Sequence, residues 1–284
     1  MGRGKSKSTD ASVVVNNLKS RLERFILKVR PDAPTPSVMP ETKIDRLTYA
    51  VGDVHGRNDL LVRFINGVHR DSEAIGERPR IVLLGDYIDR GPSSNAVLDT
   101  ILALKQATWC DVEVLIGNHE LFLMKFILDV ANVSSWLQHG GLATLGCYGI
   151  APPKDRSDPE VMEELREELL ARVPNEHLEL LADAKVYFIA GDYLFVHGGV
   201  EPGVPIEEQD PDVMLWIRDE FLQSEKACDY VVVHGHSAKA TADNLPWRIG
   251  VDTGAYATGI LSAVRLKGAE RKIVQVRKTR SRAA

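Results

Sequence analysis

Five short segments of the sequence carry side chains that can bind metals or move protons, and each follows an apolar run. They read GDVHG at 52–56, GDYIDRG at 85–91, GNHE at 117–120, HGG at 197–199 and HGHS at 234–237. Their carboxylate, imidazole and amide groups offer oxygen and nitrogen ligands without a thiolate, a set that suits manganese, iron or zinc. The five segments together predict a metal centre.

Each segment has a simpler interpretation when it is taken alone. A Gly-Asp pair after a strand is usually a turn whose Asp caps the next helix, and Asn118 could cap a helix that begins near Glu120. An isolated His-Gly-Gly is usually a loop. Five such turns that all carry possible ligands are hard to explain as turn chemistry, so the coincidence favours one shared site.

Strands and helices alternate along most of the chain. Apolar runs predict strands at 47–51, 81–84, 112–116, 186–189, 193–196, 230–233, 248–251 and 260–266, and helical periodicity predicts helices near 58–70, 94–107, 120–131 and 158–173. The early alternation indicates a largely parallel sheet, whereas the short turn at 190–192 indicates a hairpin, so we expect mixed sheets. Ligands in such folds bind beyond the carboxyl ends of the strands, which is where the five segments fall.

Composition and charge limit the classes of protein that remain. The 284 residues are 44% hydrophobic and 26% charged, as in a soluble domain with one core. The net charge of −5 combines +6 over residues 1–30, +7 over 265–284 and −18 between them, and the acidic body argues against a stable nucleic-acid partner. The apolar runs are much shorter than the roughly 20 residues of a membrane span, so we expect a cytoplasmic location.

The ends of the chain differ from its centre. Apolar residues at helical spacing predict one amphipathic helix near the N-terminus, namely Leu18, Leu22, Phe25, Ile26 and Val29, and a Pro-rich linker follows at 31–40. We therefore divide the chain into a basic tail with a short helix and linker at 1–45, a catalytic domain at 46–268, and a basic strand and tail at 269–284. The three widely spaced cysteines predict reduced, mostly buried thiols.

The ordered set of five segments closely resembles the calcineurin-like metallophosphoesterases. Within them it resembles the phosphoprotein phosphatase superfamily, which includes lambda-type and bacterial serine/threonine phosphatases, from about residue 48 to 266. The resemblance implies an α/β metallophosphoesterase fold in which two mixed β-sheets pack as a sandwich flanked by helices. It also implies a dinuclear metal site at the carboxyl ends of the strands.

The same resemblance implies a role for each residue of the five segments. Asp86 would bridge two divalent ions, with the remaining ligands on either side, and His234 would lie behind them. The ligands of the first ion would be Asp53 and His55, and those of the second Asn118, His197 and His236. Manganese is the expected metal, and iron or zinc would also accept this set.

The resemblance further assigns the groups that act on the substrate. His119 would protonate the leaving oxygen and Asp89 would orient it, while Arg90 and Arg218 would bind phosphate. A surface ion pair is the alternative for Arg218. Glu120 would support the loop and the helix that follows it. The implied reaction is direct in-line attack by a bridging hydroxide, without a phosphoenzyme.

The substrate stays open at this point. A serine/threonine protein phosphatase is the first expectation, and a phosphorylated protein or a small phosphoester would be the partner. The segment at 249–266, IGVDTGAYATGILSAVRL, resembles an ending that bacterial protein phosphatases share with symmetric diadenosine tetraphosphate hydrolases. The segment at 136–149, WLQHGGLATLGCYG, resembles a bacterial-type insertion whose Trp136 and glycines form a pocket wall, or else simply pack. Hydrolysis of a dinucleoside polyphosphate is therefore the alternative, and a non-catalytic phosphate-binding module is a minor one.

Overall fold

The computed structural model describes residues 15–20, 43–132 and 136–278, and its strands form two sheets. In chain order the strands are β1 (Ile44–Val51), β2 (Arg80–Leu83), β3 (Asp111–Val114), β4 (Tyr187–Ala190), β5 (Tyr193–Val196), β6 (Val231–His234), β7 (Asp243–Asn244), β8 (Arg248–Gly250), β9 (Ile260–Gly268) and β10 (Glu270–Arg277). The first sheet has the order β10-β9-β1-β2-β3 and the second has the order β4-β5-β6-β8-β7.

Both sheets mix parallel and antiparallel pairs. In the first, β1, β2 and β3 are parallel, while β9 and β10 are antiparallel to their neighbours. In the second, β5, β6 and β8 are parallel, and β4 and β7 form antiparallel edges. The predicted α/β class with mixed sheets is confirmed, and so is the hairpin at 190–192, which joins β4 to β5.

Beyond the helical residues 15–20, nine α-helices lie in the described part of the chain. They are α1 (Asn58–Ile75), α2 (Ser94–Gln106), α3 (Asn118–Leu128), α4 (Leu142–Cys147), α5 (Pro159–Arg172), α6 (Asn175–Ala182), α7 (Pro211–Trp216), α8 (Asp219–Leu222) and α9 (Ala255–Thr258). Asp158 and Asp210 cap α5 and α7, since each carboxylate accepts a backbone N–H two residues on and a proline opens each helix. Residues 15–20 are also helical.

Alternation of side chains along the strands produces a layered core. In β1, Tyr49 and Val51 pack with the helices, whereas Ala50 between them packs with residues of the second sheet such as Phe195. Leu194 on β5 points the other way, into a third cluster with residues of α7 and α8 such as Phe221. The two sheets therefore pack face to face as a sandwich, with helices on both outer faces.

The predicted elements match the observed ones closely where the chain is described. The main strands lie within about three residues of their predicted ends, and α1 extends five residues beyond its predicted end at 70. Helices α4, α6, α7, α8 and α9 have no counterpart among the predicted helices because each is short. Leu18 lies in the helical segment 15–20 and is buried; the other residues of the predicted N-terminal helix and the linker at 31–40 lie outside the described residues.

The remaining expectations concern the chain as a whole. No described helix has both the length and the apolar character that a membrane span requires. Cys110 is buried and Cys147 and Cys228 are half-buried, and all three thiols are free. Strand β10 pairs with β9 along its whole length. The domain division and the cytoplasmic location stay predictions.

Candidate metal centre

The five segments of the sequence converge at one edge of the sandwich. Each follows a strand, and their side chains meet although they are far apart along the chain. The six predicted ligands and two predicted acid-base residues are all buried: Asp53, His55, Asp86, Asp89, Asn118, His119, His197 and His236. Arg90 and Arg218 are exposed at the rim.

Asp86 lies at the centre of this cluster. Its Oδ2 is 3.4 Å from His55 Nε2, and its Oδ1 is 3.4 Å from His197 Nε2. Asn118 Oδ1 lies 2.9 Å from His197 Nε2 and 3.0 Å from His236 Nδ1. Asp86 belongs to both groups of side chains that could hold an ion, one on each side of its carboxylate, which is the geometry that a bridging ligand needs.

Backbone carbonyls orient two of the imidazoles. His55 Nδ1 donates to the carbonyl of Ile88 at 2.8 Å, and His197 Nδ1 donates to that of Leu84 at 2.9 Å. Each contact fixes the proton on Nδ1 and leaves the lone pair of Nε2 turned toward Asp86. The backbone that follows β2 therefore orients both rings so that each Nε2 can bind a metal.

The donor set fits divalent cations. Among the described residues, the buried atoms His119 Nε2 and His236 Nε2 have no hydrogen-bond partner, an arrangement that costs free energy unless a ligand occupies it. Burial raises the pKa of Asp53, and the charges of Asp252 and Asp86 raise it further. Burial also lowers the pKa of His236 to about 2. A cation placed between these groups would stabilise anionic carboxylates and neutral imidazoles together.

Strained backbone is concentrated in the same place. Among the described residues, five other than glycine have a left-handed φ, between 41° and 69°: His55, Asp86, Asp89, Arg90 and His236. Such a conformation costs about 1 kcal/mol or more for a residue with a Cβ. All five belong to the candidate site, so the fold holds these side chains in positions that the local backbone disfavours.

Glu120 stabilises the turn that presents Asp86. Its two carboxylate oxygens accept the backbone N–H groups of Asp86, Tyr87, Ile88 and Gly117, at 2.8 to 3.2 Å. Burial raises the pKa of Glu120 to about 7, and these four donors oppose that rise. The carboxylate therefore joins the loop after β2 to the start of α3, which agrees with the supporting role expected for it.

Asp89 and His119 form a buried pair. His119 Nδ1 is 2.7 Å from Asp89 Oδ2, so one proton is shared between them. Burial raises the pKa of Asp89 to about 7 and lowers that of His119 to about 3. Thr144 Oγ1 donates to Asp89 Oδ1 at 2.6 Å, and Trp136 Nε1 donates to both carboxylate oxygens at 3.1 and 3.2 Å.

The two arginines are placed differently. The Arg90 guanidinium lies 2.9 Å from His55 Nε2 and 5.1 Å from the centre of the Tyr256 ring, and the Arg90 N–H donates to the carbonyl of Gly140. Gly140 has φ of 116°, and a Cβ there would lie 2.8 Å from Arg90 Cγ. Arg218 follows α7, and its charge contributes to the lowered pKa of His236.

Sequence reasoning missed three groups at this site. Trp136 was expected at most to line a pocket wall and Thr144 was given no role, whereas both donate to Asp89. Asp252 was noted only as part of a family ending, yet it is buried next to Asp53 and raises its pKa. His119 also lies in one of the two possible ligand groups, with His55 and Asp86. The signal available in the sequence was an acidic residue, Asp252, directly after the predicted strand at 248–251.

Comparison with known proteins agrees with this geometry. The chain is 30% identical over 279 residues to a zinc-dependent endopolyphosphatase of Saccharomyces cerevisiae, covering 84% of the chain and 82% of that protein. It is 28% identical over 254 residues to serine/threonine-protein phosphatase 2 of Escherichia coli, covering 81% and 100%. A solved structure described as a putative diadenosine tetraphosphatase superposes with a TM-score of 0.57 at 19% identity, covering 83% and 95%.

The chain also matches a protein family, over a stretch much longer than any of the five segments. The family model for calcineurin-like phosphoesterase matches residues 47–255, a span from β1 to the first residue of α9 that contains all five segments. The chain belongs to the calcineurin-like phosphoesterase family.

Proposed function

We propose that this chain is a metal-dependent phosphomonoester hydrolase that acts on phosphorylated proteins, with phosphoserine and phosphothreonine as its targets. The observation that carries this proposal is the buried pair of Asp89 and His119, with Trp136 and Thr144 donating to the carboxylate. An arrangement of this kind holds a proton donor beside the reacting phosphate.

A proton donor matters most when the leaving group is strongly basic. Hydrolysis of a serine or threonine phosphate expels an alkoxide, which needs a proton as the P–O bond breaks. A phosphoanhydride expels a phosphate, which needs little assistance. Burial raises the pKa of Asp89 to about 7, and the hydrogen bonds from Thr144 and Trp136 oppose that rise. When Asp89 is anionic, its charge favours a proton on both nitrogens of His119.

Each residue then has a part in the reaction. Water attacks phosphorus on the side opposite the leaving oxygen, the P–O bond breaks, and His119 transfers its Nε2 proton to that oxygen. Arg90 and Arg218 are proposed to bind phosphate oxygens, since guanidinium groups match phosphate in charge and geometry.

Two divalent ions complete the proposed site. The residues proposed to hold them are Asp53, His55, Asp86, Asn118, His197 and His236. When bound, the ions would acidify the attacking water and offset charge on phosphate. Manganese is the expectation from the resemblance, while zinc is supported by the name of the yeast relative.

A second candidate is hydrolysis of a phosphoanhydride. The yeast relative aligned over most of the chain is named an endopolyphosphatase, and inorganic polyphosphate contains only phosphoanhydride bonds. Dinucleoside polyphosphates belong to the same chemical class.

The test compares three substrates with one metal-loaded preparation. We expect a higher kcat/KM for a phosphothreonine peptide than for diadenosine tetraphosphate or polyphosphate. His119→Asn should lower kcat for the peptide by about a hundredfold or more. His69→Asn is the control, since His69 lies on α1 with its ring against Trp109. A preference of more than about tenfold for either phosphoanhydride, about 1.4 kcal/mol in the transition state, would overturn the proposal.

A further inference from the structure

The two sheets meet where β1 and β8 end, and each strand leads into an aspartate. A Cβ on Gly52 would lie 2.4 Å from the carbonyl oxygen of Val251, so the two segments touch backbone to backbone. The residues that follow them, Asp53 and Asp252, are both buried, and their carboxyl groups are hydrogen-bonded to each other. Two buried acids from different sheets therefore form a pair, here called the carboxylate pair.

The carboxylate pair has few hydrogen-bond donors. Asp53 accepts the backbone N–H of His236, at 3.1 Å to Oδ1 and 3.3 Å to Oδ2, and Asp252 Oδ1 accepts that of Gly254 at 2.8 Å. Within the described ranges, no other backbone N–H donates to either carboxyl group. Glu120, by contrast, has four backbone donors for one buried carboxylate. The oxygens of the carboxylate pair thus have unused capacity to bind a positively charged group.

The charges of the carboxylate pair are poorly balanced by the protein. Burial raises the pKa of Asp252, as it does that of Asp53, and the anionic forms of the two would repel each other. The guanidinium groups of Arg90 and Arg218 lower the pKa of Asp252, but both side chains are exposed at the rim. A divalent cation against the pair would stabilise both carboxylates together, and hard cations prefer such oxygen ligands.

The ligands proposed above are divided unequally between the two ions. Besides the shared Asp86, the second ion has an amide oxygen and two imidazoles, whereas the first has Asp53 and His55. Asp252 lies on the side of the first ion, against Asp53. A further carboxylate at this position would balance the two halves of the site.

We propose that Asp252 acts together with Asp53 to hold the first ion and is a further residue of the metal centre. This inference rests on the two-ion site of the proposed function and is independent of the substrate. The alternative is that Asp252 only closes the turn to Gly254. An amide oxygen would accept the same N–H but carries no charge, so Asp252→Asn separates the two roles.

Mn²⁺ binding to the metal-free protein tests the carboxylate pair without turnover, and the electron paramagnetic resonance signal of free Mn²⁺ measures it. The wild type should bind two ions. In Asp252→Asn, one ion should bind about tenfold more weakly or worse, and the other should stay within about threefold of the wild type. Asp210→Asn is the matched control, because the exposed Asp210 accepts the N–H of Asp212 at 2.8 Å in the same way. It should change neither affinity.

Two double variants identify the weakened ion. Adding Asp252→Asn to His236→Ala, which impairs the second position, should weaken the remaining ion about tenfold or more. Adding it to His55→Ala, which impairs the first position, should change the remaining ion less than about threefold. The opposite pattern would refute the assignment of Asp252 to the first ion.

Urea unfolding separates this role from a purely structural one. Without metal, Asp252→Asn should not lower the unfolding midpoint, because it removes one of two adjacent buried acids. With Mn²⁺, the midpoint should fall below that of the wild type, because less binding free energy is gained. Unchanged affinity for both ions in Asp252→Asn, or equal losses of stability with and without metal, would refute the inference. Loss of one ion in Asp252→Asn, with no phosphothreonine peptide hydrolysis by the loaded wild type, would instead refute the proposed function alone.

Discussion

At the scale of single residues, Asp89 is the side chain whose surroundings are most specific. It is fully buried, it is held in a left-handed conformation, and its carboxylate accepts hydrogen bonds from Trp136, Thr144 and His119. The adjacent Arg90 is strained in the same way. The left-handed backbone conformation is unfavourable at both Asp89 and Arg90, and it directs each side chain into the site. Single substitutions can test the role of each residue.

Trp136→Phe should affect substrates according to their leaving groups. Phenylalanine keeps the stacking on Phe126 but removes the N–H that donates to Asp89. Asp89 then holds His119 less rigidly and stabilises its protonated form less. We expect kcat for a phosphothreonine peptide to fall about tenfold. The rate for p-nitrophenyl phosphate, whose leaving group needs little protonation, should change less than about twofold.

The control for this substitution is Trp109→Phe, because Trp109 is half-buried against His69. It should alter neither rate. Equal loss on both substrates with Trp136→Phe would point to general damage to the fold and would count against a positioning role for the indole.

Arg90→Gly should be more stable than Arg90→Ala by about 1 kcal/mol. Both variants lose the same contacts, but only alanine carries a Cβ at a φ of 65°. Urea unfolding measures the difference. At Glu164, an exposed position within α5, the order should reverse by about the same amount, since glycine is the poorer helix former. If alanine were the more stable at both positions, the backbone at Arg90 would not be strained.

At the scale of secondary structure, strand ends do most of the positioning. Every ligand proposed for the metals follows a strand that the sequence predicts, because apolar runs mark strands and parallel strands share one carboxyl edge. The contact between Trp136 and Asp89 was not predictable in this way. The two residues are 47 positions apart, and no local pattern indicates which buried carboxylate an indole N–H will reach.

Glu120→Gln tests the link between the loop after β2 and α3. An amide offers one oxygen where the carboxylate offers two, and its NH2 would face the backbone N–H groups that now donate to Glu120. We expect a loss of about 3 kcal/mol in the free energy of unfolding, measured with urea. Glu168→Gln removes only a surface pair with Arg172 and should cost less than about 0.5 kcal/mol. A similar small loss for both would show that Glu120 does not organise the loop.

At the scale of the whole molecule, two sheets join at a single site. Asp53, Asp86 and Asn118 follow strands of the first sheet, and His197 and His236 follow strands of the second. The sequence predicted the strands other than the two-residue edge strand β7. It did not predict the order β4-β5-β6-β8-β7, because strand order depends on long-range packing that periodicity does not encode. The burial of Asp252 beside Asp53 depends on the same packing.

Phosphate release by protein stripped of metal and then titrated with Mn²⁺ tests the proposed function most directly. On a phosphothreonine peptide, the metal-free protein should be inactive, and the rate should rise to a plateau at two ions per chain. Asp86→Asn, which weakens the ligand common to both groups, should abolish that plateau. Full activity without metal, or a plateau at one ion that survives Asp86→Asn, would contradict a dinuclear phosphomonoester hydrolase.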